Sequence, residues 1–141
     1  MTIKEIQESI VEEFSLYEDW MDKYAYLIDL GKDCPAIEEQ YKTDTYLIKG
    51  CQSRVWLHCE NRDGRLWFSA DSDAVITKGI IYLLIRVYNG QTAQEILNSD
   101  VEFIDQIGLR EHLSPTRSNG LTSMIQQIRN YAMAFSLKSD L

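Results

Sequence analysis

The chain has 141 residues, 45% of them hydrophobic, and its 14 Lys and Arg against 22 Asp and Glu give a net charge of −8. That length and apolar content predict one domain over residues 1–141 whose core needs no disulfide or metal staple. The negative charge argues against nonspecific attraction to nucleic acid or anionic membrane and leaves a basic protein partner open.

The longest apolar run in the hydrophobic middle, Ile80 to Ile85, is bounded by Lys78-Gly79 and Arg86. It is far shorter than the roughly 20 residues a membrane span needs. The start of the chain, Met1 to Glu8, lacks the basic-then-apolar order of a secretory signal. Cys34, Cys51 and Cys59 form an odd, dispersed set, which speaks against a disulfide framework and for thiols kept reduced in a cytoplasmic protein.

In chain order, Thr2 and Glu5 have capping-box spacing, and Ile3, Ile6, Ile10 and Phe14 continue at helical intervals. A second helix follows through Trp20, Met21, Tyr24, Leu27 and Ile28 to Gly31, a residue suited to the left-handed position past a helix end. From Lys32 to Gly50 the periodicity fades. Residues 53–60 then alternate, with Ser53, Val55, Leu57 and Cys59 on one face and Arg54, Trp56, His58 and Glu60 on the other. Asn61-Arg62-Asp63-Gly64 reads as a turn and Leu66 to Ser69 as the return strand of an antiparallel hairpin. A third strand near Tyr46 to Ile48 is expected, because a lone hairpin is marginal in water.

Asp71-Ser72-Asp73 supplies cap residues for a helix through Ile76, Ile80, Leu83, Leu84 and Val87, closed by Asn89-Gly90. Being apolar nearly all round, that helix is predicted to be the central one. Thr92 and Glu95 repeat the capping-box spacing ahead of Ala93 to Asn98, and a further helical turn or two is expected near Glu102 to Ile107. Ser114-Pro115 opens a long amphipathic helix with Leu121, Met124, Ile125, Ile128, Ala132 and Phe135 in one stripe. The layout is α+β, a small antiparallel sheet of about three strands flanked by helices.

Among the cysteines, Cys59 continues the buried face of a strand, and Cys34 precedes Pro35 in an irregular stretch; both read as structural. Cys51, in Lys49-Gly50-Cys51-Gln52-Ser53-Arg54, sits at a loop or strand edge. Gly50 allows unusual backbone angles there, and Lys49 and Arg54 are placed to stabilise a thiolate. Local sequence alone leaves a reactive and an incidental Cys51 equally open. Residues 34, 51, 58, 59 and 112 include no close CxxC or HxxxH pair, so no zinc site is expected. Nothing in the spacing demands His58 or His112 beside Cys51 as a base. Arg117 falls in the first turn of the last helix, where the dipole disfavours a cation; either it is a solvated arginine or it awaits an anion. Asp71 and Asp73 have an adequate reading as caps and Lys78 as a polar helix edge.

Three segments, Gly50-Cys51-Gln52-Ser53-Arg54-Val55-Trp56, Asp71 through Gly79, and His112-Leu113-Ser114-Pro115-Thr116-Arg117-Ser118-Asn119-Gly120-Leu121, resemble, in that order and spacing, the SufE/CsdE family of sulfur acceptors. Trp20 and Tyr24 through Gly31 also fit its pattern. The resemblance implies a fold similar to that of IscU-type scaffolds and a carrier that works with a pyridoxal-phosphate cysteine desulfurase of the SufS or CsdA type. Cys51 matches the persulfide acceptor, with delivery to an Fe–S scaffold of the SufBCD type. The chain then needs no cofactor of its own and is not a stand-alone enzyme. Arg117 matches a typical arginine that orients the loop or contacts the partner, and Gly50, Gln52, Ser53, Asp73 and Lys78 match positions of partner or loop support. Cluster-assembly scaffolds use several cysteines and an acid, whereas only Cys51 lies in the matching loop. A thiol that must wait for its partner is expected to be at least partly buried.

Overall fold

The computed structural model describes residues 1–139. The first helix, α1 (Ile3–Ser15), opens with a reciprocal cap in which the Thr2 hydroxyl accepts from the Glu5 N–H at 3.1 Å and the Thr2 N–H donates to the Glu5 carboxylate at 3.0 Å. Its inner face buries Ile3, Ile10 and Phe14. α2 (Trp20–Gly31) starts where the Asp19 carboxylate accepts the Asp22 N–H. Gly31 is not a left-handed residue past the helix end; it is the last helical residue, buried, with a right-handed Lys32 following. What requires glycine is close approach. A Cβ on Gly31 would stand 3.0 Å from the Gly79 nitrogen, and one on Gly79 would stand 2.3 Å from the Leu27 carbonyl oxygen. α2 and the helix that carries Gly79 therefore pack backbone to backbone.

The hairpin is longer and tighter than the sequence pattern suggests. β1 (Val55–Arg62) and β2 (Arg65–Ser72) pair antiparallel from Val55↔Ser72 to Arg62↔Arg65. The turn is only Asp63-Gly64, with φ of 54° and 84°, the two positive angles that a twist-matched two-residue hairpin turn needs. Val55, Leu57 and Cys59 with Leu66, Phe68 and Ala70 form the buried face. Among the described residues the sheet has these two strands. In place of the third strand there is a single antiparallel bridge, Leu47↔Trp56, with the Ile48 N–H donating to the Val55 carbonyl at 2.8 Å. A 3-10 turn over Asp44–Tyr46 stops pairing on one side, and Gly50 at φ 93° turns the chain away on the other. Along the far side of β2, the N–H groups of Leu66, Phe68 and Ala70 donate to the Gln91 carbonyl, the Asn89 side-chain oxygen and the Pro35 carbonyl at 2.9, 2.7 and 3.1 Å.

α3 (Val75–Tyr88) is the central helix, burying Ile80, Ile81, Leu83, Leu84, Ile85 and Val87. Its cap corrects the sequence reading. The N-cap is Ala74, with no side-chain cap bond, because β2 runs through Ser72 and keeps Asp71 in the strand. The Asp73 carboxylate turns instead to the Arg54 N–H, at 3.0 Å. Gly90, at φ 79°, closes the far end as expected. The short helices α4 (Ala93–Leu97), capped by Thr92, and α5 (Glu102–Gln106) lead to α6 (Pro115–Ser139). Leu121, Met124, Ile128 and Ala132 of α6 are buried in the same core as α3 and the sheet. The Tyr131 hydroxyl donates to the Leu57 carbonyl at 2.8 Å, tying α6 to β1. The result is the expected α+β architecture. Among the described residues no helix is long and apolar enough to cross a membrane.

Candidate functional site

The segment between Ile48 and Val55 is a short loop pinned at both ends. The Ile48–Val55 backbone bond closes it, and the Arg54 N–H donates to Asp73 while the Asp73 N–H donates to the Arg54 carbonyl at 3.3 Å. Gly50 is needed for its angle, and a Cβ there would stand 2.5 Å from the Ser123 hydroxyl of α6, which would have to rotate away. The loop thus lies against α6, and the next residue, Cys51, points its thiol at the helix. Its Sγ donates to the Gly120 carbonyl at 3.6 Å. The bare Cα of Gly120 faces the Cys51 loop closely: a Cβ there would be at ordinary contact distance, 3.4 Å from Sγ and 3.9 Å from both Cys51 Cα and Cβ.

Cys51 is half-buried, as expected of a waiting thiol. Burial pushes that thiol upward from the ordinary range. Lys49 and Arg54, read from the sequence as thiolate stabilisers, do not offset it; both side chains are exposed, where water screens their charge. The resting state favoured here is the neutral thiol.

Beside the sulfur lies a cleft of about 190 Å³. Gln52 and Ser53 border it from the loop, Thr77 and Ile80 from α3, and Thr116, Arg117 and Met124 from α6. Ser114 caps α6, its hydroxyl accepting the Arg117 N–H at 3.3 Å. The Arg117 side chain is exposed, and among the described residues no carboxylate comes within ion-pair distance of it. The fold therefore brings Cys51, Gln52, Ser53 and Arg117 to one cleft, with Gly50 behind them. Asp73 lies outside the cleft and braces the loop. Lys78 does not line the cleft either; its ammonium pairs with Asp71 at 3.3 Å, whose other oxygen takes Lys42 at 2.7 Å.

The sequence reading did not assign Thr77, Gly120 or Met124 to the site. A signal existed for two of them. Glycine inside a long helix costs roughly 1 kcal/mol relative to alanine, so Gly120 needed a reason, and Thr77 is a polar residue in an otherwise apolar helix.

Cys34 and Cys59 are buried, and burial pushes each up to about 12. All three cysteines are free thiols. His58 stacks on Tyr41 and His112 on Trp20, with ring centroids 3.7 and 4.0 Å apart, and neither borders the Cys51 cleft. Among the described residues no three His, Cys, Asp or Glu side chains are grouped to hold a metal ion.

A half-buried thiol on a braced loop, seated on helix backbone above a polar cleft, defines a small thiol-bearing α+β protein. Residues 8–132 match the family described as "SufE: Fe-S metabolism associated domain", and the chain belongs to that family. Membership ties it to Fe–S metabolism and to the sulfur transfer that serves it. An uncharacterized SufE-like protein of Rhizobium meliloti (strain 1021) is 38% identical over 130 residues, covering 89% of this chain and 93% of that one. A hypothetical protein from Thermus thermophilus, solved in solution, superposes with a TM-score of 0.76 over 92% of this chain and 94% of its own, at 17% identity. That likeness is one of fold.

Proposed function

We propose that this protein, acting as one domain over residues 1–141, is a sulfur carrier that takes persulfide sulfur onto Cys51 from a cysteine desulfurase of the SufS or CsdA type. It stimulates that enzyme by unloading it and delivers the sulfur to an Fe–S scaffold of the SufBCD type. The observation that carries this reading is the contrast among three thiols: Cys51 is half-buried and borders a surface cleft, while Cys34 and Cys59 are buried in the core.

The transfer is an exchange at sulfur. Cys51 gives up its proton and its thiolate attacks the outer sulfur of the donor persulfide. A new S–S bond forms at Cys51 Sγ, the donor S–S bond breaks, and the donor cysteine leaves as a thiolate. No oxidant is consumed. Because burial favours the neutral thiol, docking that draws the loop outward rehydrates the sulfur and restores its acidity, which confines reactivity to the encounter. Arg117, exposed at the rim, is placed to meet a carboxylate of the desulfurase. Pyridoxal phosphate belongs to that partner, so this chain works without a cofactor of its own and is not a stand-alone enzyme. The cytoplasm, where thiols stay reduced, is the compartment that suits it.

The test incubates the protein with its desulfurase and L-cysteine. One sulfur mass is expected on the Cys51 peptide, and Cys51→Ser should abolish both that gain and the stimulation. Stimulation that survives Cys51→Ser would overturn the carrier reading in favour of a docking adaptor, and near-stoichiometric iron or zinc lost on that substitution would overturn it in favour of a cluster scaffold. Arg117→Ala should slow transfer without changing thermal stability.

A further inference from the structure

Thr77 has no assigned part in this chemistry, yet its surroundings are unusual. It lies in the first turn of α3, one turn before Ile80, and is only 5% exposed. A threonine in an apolar helix commonly satisfies its hydroxyl by bonding back to the carbonyl one turn earlier. Thr77 does not: among the described residues its hydroxyl has no hydrogen-bond partner. Among those residues no side-chain oxygen is both sealed from solvent and unpaired. The Thr77 oxygen therefore keeps some contact with solvent, and the cleft that Thr77 lines with Cys51 is the opening at hand.

The part of the cleft lined by α6 also favours negative charge. α6 runs for 25 residues and begins at the cleft. Ser114 takes the Arg117 N–H with its hydroxyl and the Ser118 N–H with its carbonyl, and Pro115 has no N–H to offer. The Thr116 N–H finds no partner among the described residues. A helix N-terminus carries positive potential, and Arg117 adds a full charge at the rim. A neutral thiol gains little from such a wall. A persulfide is different, since it is a stronger acid than its parent thiol, and its charge resides on an atom one bond farther from the loop.

Resting on the acceptor reading above, we propose that the Thr77 hydroxyl donates a hydrogen bond to the terminal, anionic sulfur of the Cys51 persulfide. The α6 N-terminus and Arg117 supply the surrounding positive potential. The cleft is a holding site for the loaded state, and the unloaded thiol, turned to the Gly120 carbonyl, does not use Thr77.

The test loads Cys51 in the full chain with inorganic polysulfide, so it does not depend on any desulfurase. The Cys51 thiolate keeps one sulfur and releases the shortened polysulfide. Alkylation of loaded and unloaded Cys51 is then followed against pH by mass spectrometry. Thr77→Val keeps the side-chain shape without the hydroxyl. It should raise the midpoint of the persulfide profile by about one pH unit, roughly tenfold in acid constant, as expected for a lost hydrogen bond to an anion. The unloaded midpoint should stay in place, and Thr77→Ser should restore the wild-type persulfide profile. Identical persulfide midpoints in wild type and Thr77→Val would overturn the proposal, and so would an equal shift in the unloaded thiol. A desulfurase that transfers no sulfur to Cys51 would overturn the acceptor reading instead, and chemical loading keeps the two failures apart.

Discussion

Replacing Asp73 with alanine removes the side-chain brace on the Cys51 loop while leaving the backbone bond from the Asp73 N–H to the Arg54 carbonyl in place. The lost bond is a 3.0 Å contact from a backbone N–H to a carboxylate that is exposed to water. Its net contribution is about 1 kcal/mol, that of a typical hydrogen bond, because water screens the exposed carboxylate. If Cys51 becomes accessible by local opening of this loop, that loss multiplies the open population roughly fivefold. Alkylation of Cys51 at fixed pH reads the open population directly when reclosing outpaces the reagent. Asp73→Ala should therefore speed alkylation about fivefold. Asp73→Asn, whose amide oxygen still accepts, should fall between it and the wild type. The melting temperature should fall by no more than a few degrees. An unchanged alkylation rate in Asp73→Ala would refute the idea that Asp73 governs the loop, and a rate gain that only tracks a global loss of stability would refute it as well.

Two further outcomes follow from the buried groups. In the native protein a thiol reagent should modify Cys51 alone, because Cys34 and Cys59 are buried and pushed up to about 12; intact-mass spectra should show two more additions only after unfolding. The hydrogen bond from Arg86 holds the Glu13 carboxyl below its usual range against the opposing effect of burial, and the Tyr26 hydroxyl helps. A depressed folded pKa means that Glu13 contributes stability fully above the unfolded carboxylate value, and that this contribution is lost as pH falls through the folded one. Glu13→Gln should thus cost about 1–2 kcal/mol at neutral pH and much less in acid. Denaturant titrations at the two pH values check this, and an equal cost at both would contradict it.

The elements that local patterning could place were those whose side chains decide their own conformation. Thr2 with Glu5, Thr92 with Glu95, and Ser114 before Pro115 mark helix starts in the sequence and in the structure alike. The Val55-Leu57-Cys59 alternation marks the buried face of β1. Where the reading departed from the structure, a distant residue had intervened. Gly31 suits a helix end by local logic, but its role is set by Gly79, 48 positions later. Asp73 suits a cap, yet the Arg54 N–H across the sheet claims its carboxylate. The same holds for the site. Cys51 and Arg117 were visible as residue types in context, whereas the burial that keeps the thiol neutral, and the cleft that joins Cys51 to Thr77 and Gly120, arise only when α3 and α6 close on the loop.

The outer side of β2 bears on how this protein behaves when crowded. A two-stranded sheet invites growth, because a strand with unclaimed N–H groups is a template on which another copy can polymerise. Here Gln91, Asn89 and Pro35 have already occupied the donors of Leu66, Phe68 and Ala70, one of them with a side-chain amide standing in for a neighbouring strand. The flank is plugged with the chain's own loops, so a molecule that must offer its thiol-bearing loop to other proteins does not present these donors to copies of itself along this border.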